Sequence, residues 1–521
     1  MTTSSIEKRS WLETMRAFLH PRVITMLFFG FSAGIPLLLI FGTLVLWLRE
    51  AGLERSTVTF FSWAALGYSF KFVWAPLIDR LPVPFLTRRM GRRRAWMLVA
   101  QLSIITAIFW MASIDPKAGG EQLTMMALAA VMLGFSSATQ DIVIDAYRIE
   151  SAETDLQALM ASTYIAGYRI GMLVAGAGAL FLASYFGSEM GSYSYQAWQW
   201  TYGLMALTML VGVVTTLVIA EPELNQKRDD RHTTRDYLGL LGMFFIAVTG
   251  FILAFYFSSD RAKEAKDVLG ALFGNKHLAG FLVELIRLVL AIVVAALVAK
   301  LTIVSALVNR DMVRRSYVEP IKDFFQRYGT SLAWLLLALV GLYRISDIVL
   351  GVISNVFFQD LGFTKIEIAQ IVKTFGLFMT IFGGFLGGIL AVRYGVMKIL
   401  FLGALLTVVT NLLFLLLASA GHDIFLLYFV ISADNLTAGL ASAVFIAFLS
   451  SLTNVSFTAV QYAIFSSLMT LFPKIIGGYS GTIVDSVGYP NFFIIASLMG
   501  VPVLALVWAA AKRFELKQKG G

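Results

Sequence analysis

The sequence predicts an all-α polytopic membrane protein, two six-helix bundles with two further transmembrane helices inserted between them, about 14 transmembrane helices in all. Composition gives the first reason. Hydrophobic side chains fill 58% of the 521 positions and charged ones only 14%, and the mean hydropathy of +0.78 exceeds what a water-soluble domain of this length uses. Spacing gives the second: the apolar residues gather into runs of roughly 20 or more, the length of helix that crosses a hydrocarbon core.

Taken in order, six runs come first, at Val23 to Leu48, Thr57 to Ile78, Ala95 to Ile114, Leu123 to Ala146, Leu156 to Tyr185 and Trp198 to Ala220. Two follow near Tyr237 to Phe257 and Leu278 to Val308. Six more run from Ser331 to Phe358, Ile366 to Val392, Met397 to Ala420, Ile424 to Leu452, Phe457 to Tyr479 and Phe492 to Ala511. The first run is too long for a signal-peptide core and lacks a small-residue cleavage site, so it reads as a retained helix. The expected division is a cytoplasmic N-terminus at 1–22, a bundle at 23–220, a linker with the extra pair at 221–328, a second bundle at 329–511 and a cytoplasmic tail at 512–521.

The net charge of +9 argues orientation rather than nucleic-acid binding, because the basic residues cluster in alternate connections between the apolar runs. One side holds Arg16, Arg22, Arg80, the arginines from Arg88 to Arg94, Arg228, Arg310, Arg314, Arg393 and Lys512; the other holds few, among them Arg49, Lys117 and Lys266. Under the positive-inside rule the first side is cytoplasmic, and an even number of spans puts both termini there. With no cysteine, and with four histidines lying outside the apolar runs, neither thiol chemistry nor a metal centre is expected. An intramembrane enzyme would need a nucleophile with a base or a metal, and no HExxH or Walker sequence occurs. A receptor would need a soluble domain to carry its message.

A signal recurs at the end of the second run of each set. In the first half it reads Pro76, Leu77, Ile78, Asp79, Arg80, then Gly91, Arg92, Arg93, Arg94; in the second it is Gly383, Gly384, Gly387, Gly388, then Arg393, Tyr394, Gly395 and Lys398. Duplicated halves with a ligand site between them suit alternating access by rocking. Small residues let helices approach, and a basic loop just beyond can pair with acidic helix ends when that side is shut. Asp79, Arg80, Gly91, Arg92 and Arg148 are the gating candidates on this reading; the alternative is that the arginines only anchor topology.

Three stretches carry a family resemblance: SSATQDIVIDAYRIE at Ser136 to Glu150, WAPLIDR at Trp74 to Arg80, and AGYRIG at Ala166 to Gly171. With them the whole chain, inserted pair included, resembles the AmpG muropeptide permeases of the major facilitator superfamily, a subfamily shared with acetyl-CoA transporters. The resemblance implies the major facilitator fold and a proton-coupled symporter of the bacterial inner membrane that imports anhydromuropeptides from periplasm to cytoplasm. Peptidoglycan recycling and an influence on β-lactamase induction would follow, with the proton motive force in place of a cofactor. The spacing between Arg80 and Gly91 is longer than the usual facilitator loop. Such transporters commonly work as monomers, in contact with substrate, protons and lipid bilayer.

Ionisable residues inside the runs need a partner, a wet cavity or a function. Asp141 and Asp145, spaced i, i+4, share a helix face with Gln140 beside them and Arg148 beyond. A carboxyl in a cavity that wets and dries can take up and release a proton, so Asp141 and Asp145, with Asp347 and Asp434, are proton-coupling candidates; Asp145 with Arg148 can equally be a structural pair. Arg169 falls roughly 18 Å into its helix, near the midplane. Its guanidinium, with the hydroxyls of Tyr164 and Tyr168, suits a carboxylated sugar-peptide better than an apolar cargo. Gln140, Arg344, Asn435, Gln461 and Tyr462 complete the substrate-binding candidates, and Arg344 can also simply neutralise Asp347 three residues on. Lys71 and Lys373 occupy corresponding second helices and are polar features without an assigned role. Acetyl-CoA or another organic anion is the alternative substrate, and it would call for a denser basic cluster.

Overall fold

The computed structural model describes residues 11–53, 66–152, 156–189, 191–222, 233–273, 276–477 and 480–519. Among them thirteen helices are long and apolar enough to span a membrane. In the first half these are α1 (Pro21–Glu50), α2 (Arg92–Ala112), α3 (Gly120–Ser151), α4 (Gln157–Tyr185) and α5 (Tyr195–Val218). α6 (Thr234–Phe257), α7 (Ser259–Phe273) and α8 (Lys276–Val304) follow, of which α7 is too polar to span. The second half is α9 (Thr330–Asp360), α10 (Ile368–Tyr394), α11 (Val396–Ala420), α12 (Ile424–Leu452), α13 (Val455–Lys474) and α14 (Ile483–Phe514). Each span overlaps an expected run, most to within about five residues at each end; α14 starts nine residues before its run at Phe492 and is kinked at Gly488 between the two. Of the remaining expected run, Thr57 to Ile78, positions 57–65 lie outside the described residues; the rest is broken into Leu66–Phe70, a 3₁₀ turn at Lys71–Val73, and Ala75–Arg80.

The chain separates into two compact units: residues 1–75, 82–225 and 324–521 in one, and 76–81 with 226–323 in the other. In the larger unit, helix contact is set by small residues. α1 and α4 cross so closely that a Cβ on Gly30, Gly34, Gly167 or Gly171 would collide with a backbone carbonyl of the other helix. In a bilayer, where helices gain nothing by hiding from lipid, this dispersion-rich approach is a main source of association. The expected glycine stripe on α10 does the same: Gly383 and Gly387 lie against the carbonyls of Leu436 and Leu440 on α12.

Helical register changes at several places among the described residues, and α14 is kinked at Gly488, which has φ +77°. α1 has a π segment at Leu39–Thr43 and α4 one at Val174–Gly178, and the Thr43 hydroxyl donates to the Ala175 carbonyl at 2.7 Å, satisfying an acceptor within the second segment. α10 begins with eight residues of π register, Ile368–Phe375. α9 breaks at Tyr343 and Arg344, where Arg344 has φ −100° and ψ 12°. Such breaks in spans concentrate at functional positions because the freed backbone groups need protein or water nearby.

The smaller unit contains α6 to α8. Glu284 and Arg287, three residues apart on α8, pair at 3.3 Å and belong to a larger cluster: Lys266 of α7 reaches Glu284 at 2.6 Å, and the Arg287 guanidinium donates to the Phe255 carbonyl and the Ser258 hydroxyl at the end of α6. The described part of the connection between the inserted spans, Ser259–Phe273, is thus a helix. It is held by capping of the last α6 carbonyls, which no further turn of α6 could satisfy. Outside this cluster the α6 and α8 surfaces are apolar and exposed, as at Ile252, Leu290 and Leu301, which suits hydrocarbon.

Candidate transport path

α3 carries the acidic stripe of the first half, and Asp141 and Asp145 behave differently on it. Asp145 is buried and held by two cations, Lys71 at 3.7 Å and Arg148 at 3.4 Å. Asp141, one turn earlier, makes no ion pair among the described residues and lies in the field of Lys71 and Asp145. The alternative left open for Asp145, a structural pair with Arg148, therefore exists in the fold with Lys71 as an additional partner. Gln140, wholly buried beside Asp141, has neither amide atom hydrogen-bonded among the described residues. An unpaired buried amide costs roughly 1–3 kcal/mol, so it is poised for a ligand or an ordered water.

From Asp141 a polar track runs across the unit. Tyr164 and Tyr168 of α4, with ring centroids 6.1 Å apart, both lie in the electrostatic field of Asp141. Arg169 comes next and feels both Arg344 and Asp347 at the break in α9. Those two are joined at 2.6 Å, each side chain 27% exposed. Asp434 of α12 closes the track, in the electrostatic field of Asp347. Residues from α3, α4, α9 and α12, drawn from both halves, are thus brought together in an otherwise apolar body.

Three other binding candidates sit differently. The Asn435 side-chain carbonyl accepts from Thr380 at 3.0 Å while its amide nitrogen donates to the Ile431 carbonyl, so this residue ties α12 to α10. Gln461 accepts from Arg327 at 3.0 Å and from the Asn454 backbone at 2.7 Å, at the start of α13 and away from the track. Tyr462 lies under the Arg148 guanidinium, 5.2 Å from its centroid.

Arg148 is the centre of the basic end. Fully buried, it donates to Ser450 of α12 at 2.7 Å and to Gln157 of α4 at 3.3 Å, and Gln157 in turn donates to the Arg148 carbonyl. Beside it α4 and α10 touch at Gly388, where any Cβ would strike the Ser162 hydroxyl. The two halves are therefore in contact at the end that carries the arginine-rich connections.

The remaining gating candidates divide. Gly91 has φ +86°, and a Cβ there would run into the Glu221 carboxylate. Arg80 donates to the Arg315 carbonyl at 3.1 Å, and Asp79 is buried. In the arginine run the deeply placed member is Arg93 rather than Arg92. Arg93 forms a two-point ion pair with Glu150, at 2.9 and 2.5 Å, and Glu221 caps α2 by accepting from the Arg93 and Arg94 backbone N–H groups at 2.8 and 3.0 Å. Arg94 caps the end of α5 through the carbonyls of Thr216 and Leu217. Sequence reasoning named Arg92 but missed Glu150, Glu221, Gln157 and Ser450 as partners. Arg93 and Glu150 stand in the stretches it singled out, yet nothing local distinguishes one arginine of a run from its neighbours.

The Major Facilitator Superfamily model matches residues 72–342 and 333–521. The anhydromuropeptide permease of Escherichia coli K12 is 28% identical over 502 residues, 96% of this chain and 82% of that protein. A Rickettsia conorii protein bearing an AmpG transporter name is 28% identical over 94% of this chain and 97% of its own length. Among solved structures, the E. coli fucose:proton symporter superposes with a TM-score of 0.60 at 10% identity, covering 95% of this chain and 99% of that one. The proton:xylose symporter XylE gives 0.56 at 13%, covering 96% of each. With these spans, this fold and this match, the chain is a multi-pass membrane protein that belongs to the major facilitator superfamily.

Proposed function

We propose that the protein is a proton-coupled importer of anhydromuropeptides, carrying cell-wall fragments inward across the bacterial inner membrane for peptidoglycan recycling. The observation that carries this reading is the track from Asp141 through Tyr168 and Arg169 to Arg344, Asp347 and Asp434. Its alternation of carboxylates, guanidinium forks and phenols matches a ligand that presents carboxylates, amides and hydroxyls together. An apolar cargo would leave each of these costly groups unused. The E. coli relative, named for anhydromuropeptides, supports the substrate class.

Within the track Asp141 is the coupling acid, because Asp145 is already held by Lys71 and Arg148. Arg169 and Arg344 receive the substrate's anionic groups. Arg148, with Ser450 and Gln157, closes the cytoplasmic end, both termini lie in the cytoplasm, and the chain works as a monomer.

The test is accumulation of labelled anhydromuropeptide in proteoliposomes under an imposed proton gradient, with and without a protonophore. Gradient-dependent uptake by the wild type, lost in Asp141→Asn and Arg169→Ala, is the expected result. Equal gradient-driven uptake by Asp141→Asn removes that residue as the coupling acid. A folded wild type that takes up acetyl-CoA or another organic anion and ignores muropeptide overturns the substrate assignment.

A further inference from the structure

Lys373 lies in the π segment that opens α10, exposed, and makes no ion pair or hydrogen bond among the described residues. A charged side chain inside a span costs roughly 2.5–3.5 kcal/mol on insertion scales and persists where it meets water, a partner or a ligand. The face it occupies can be read from α10 itself. Phe378 and Phe382, 56% and 59% exposed, mark one stripe of the helix. Gly384 and Gly388 mark another, which meets Ile165 and Ser162 of α4. Fifteen residues (388 − 373) of regular α-helix would leave Lys373 about 60° from Gly388, and the extra residue that a π turn takes in brings it closer still. Lys373 therefore stands on the stripe that faces α4, across the division between the halves, and not on the phenylalanine stripe.

Its height follows from the same contacts. α4 and α10 run antiparallel, since Gly388 meets Ser162 while Gly384 meets Ile165. Arg169 is seven residues beyond Ser162, about 10 Å along α4, whereas Lys373 is about 22 Å along α10 from Gly388. The lysine thus stands roughly 12 Å farther than Arg169 from the basic end, along the same path.

We infer that Lys373 is an outer anchor for the substrate, binding a carboxylate of its peptide while Arg169 and Arg344 hold the other end deeper in the path. This rests on the muropeptide reading above. Two cationic contact points separated by about 12 Å select an elongated ligand over a compact one, and the outer cation meets the ligand first.

The experiment measures binding of an anhydromuropeptide and of the same molecule with its free carboxyls amidated, using the full-length protein in nanodiscs of neutral lipid. Lys373→Gln and Lys373→Arg are compared with wild type. Expected are a weakening of roughly ten-fold for the carboxylate form in Lys373→Gln, near-normal binding in Lys373→Arg, and no change for the amidated form in either. The amidated ligand also reports folding. Equal affinity of wild type and Lys373→Gln for the carboxylate form overturns the inference and leaves the muropeptide reading standing. A loss shared by both ligands, or one seen only in nanodiscs containing anionic lipid, overturns it in favour of a packing or headgroup role. Wild type that binds neither ligand overturns the muropeptide reading and the anchor with it.

Discussion

Arg93 at the start of α2 and Glu150 at the end of α3 form a two-point ion pair with both side chains sealed from solvent, at 1% and 0% exposure. Removing one partner strands the other's charge, which costs about 3–5 kcal/mol, whereas replacing both with apolar residues can restore most of it. Arg93→Met and Glu150→Leu are each expected to lower the thermal midpoint in detergent by several degrees, and the double variant to recover. Equal losses that simply add in the double variant would show that the two residues act independently.

Gly388 approaches Ser162 so closely that any Cβ would strike its hydroxyl, and on the proposed reading this contact belongs to the state closed at the basic end. Gly388→Val is expected to push α4 and α10 apart there and to lower uptake at least ten-fold with little loss of folded protein. Because the sequence has no cysteine, a pair of introduced cysteines near the basic ends of α4 and α10 can carry spin labels in a clean background. Their separation should shift to longer distances in the variant. An unchanged distance distribution would count against the contact as a gate.

Arg148 binds Ser450 at 2.7 Å across the halves. Ser450→Ala leaves the guanidinium with Asp145, Gln157 and the Tyr462 ring, so the expected change in stability is small, about 1 kcal/mol. The larger effect should fall on the balance of states, seen as faster modification of an introduced cysteine beyond the gate. Modification at the wild-type rate would make the bond incidental.

Glu367 and Thr364 cap each other just before α10, and His422 reaches Glu367 at 3.2 Å. The Thr364 backbone N–H, followed by the His422 and Thr364 side chains, holds the Glu367 carboxyl below the usual range. A depressed folded-state value means its stabilisation is present above the ordinary glutamate value, about 4.3, and is lost as pH falls through the lower folded value. The melting difference between wild type and Glu367→Gln should therefore be small, steady from neutral pH down to about 5, and vanish in stronger acid. A difference that grows with acidity would contradict the sign.

Thr43 donates to the Ala175 carbonyl where the two π segments meet. Thr43→Val keeps the shape and removes the donor, leaving a buried carbonyl short of a partner at a cost of about 1–3 kcal/mol. Thermal melts should show the loss, and Thr43→Ser should restore most of it.

Much of this molecule is determined by local sequence. A run of some 20 apolar residues must become a helix in lipid, since no other conformation of a single segment satisfies its own backbone, and thirteen expected runs are helices. The same logic made Asp141, Arg169, Arg344 and Asp434 conspicuous before any fold was known, because a charge in such a run has to be accounted for. A pair within one helix, Arg344 with Asp347, was legible from i, i+3 spacing alone. What only the tertiary structure decided are the contacts between distant segments. Arg93 meets Glu150 across 57 residues, its backbone N–H meets Glu221 across 128, and Arg148 meets Ser450 across 302. Periodicity and hydropathy fix which face of a helix is apolar, but not which neighbour that face meets or which of several arginines is buried there. That choice belongs to close packing, where glycines such as Gly167 and Gly388 set how near two helices come and so which side chains can touch.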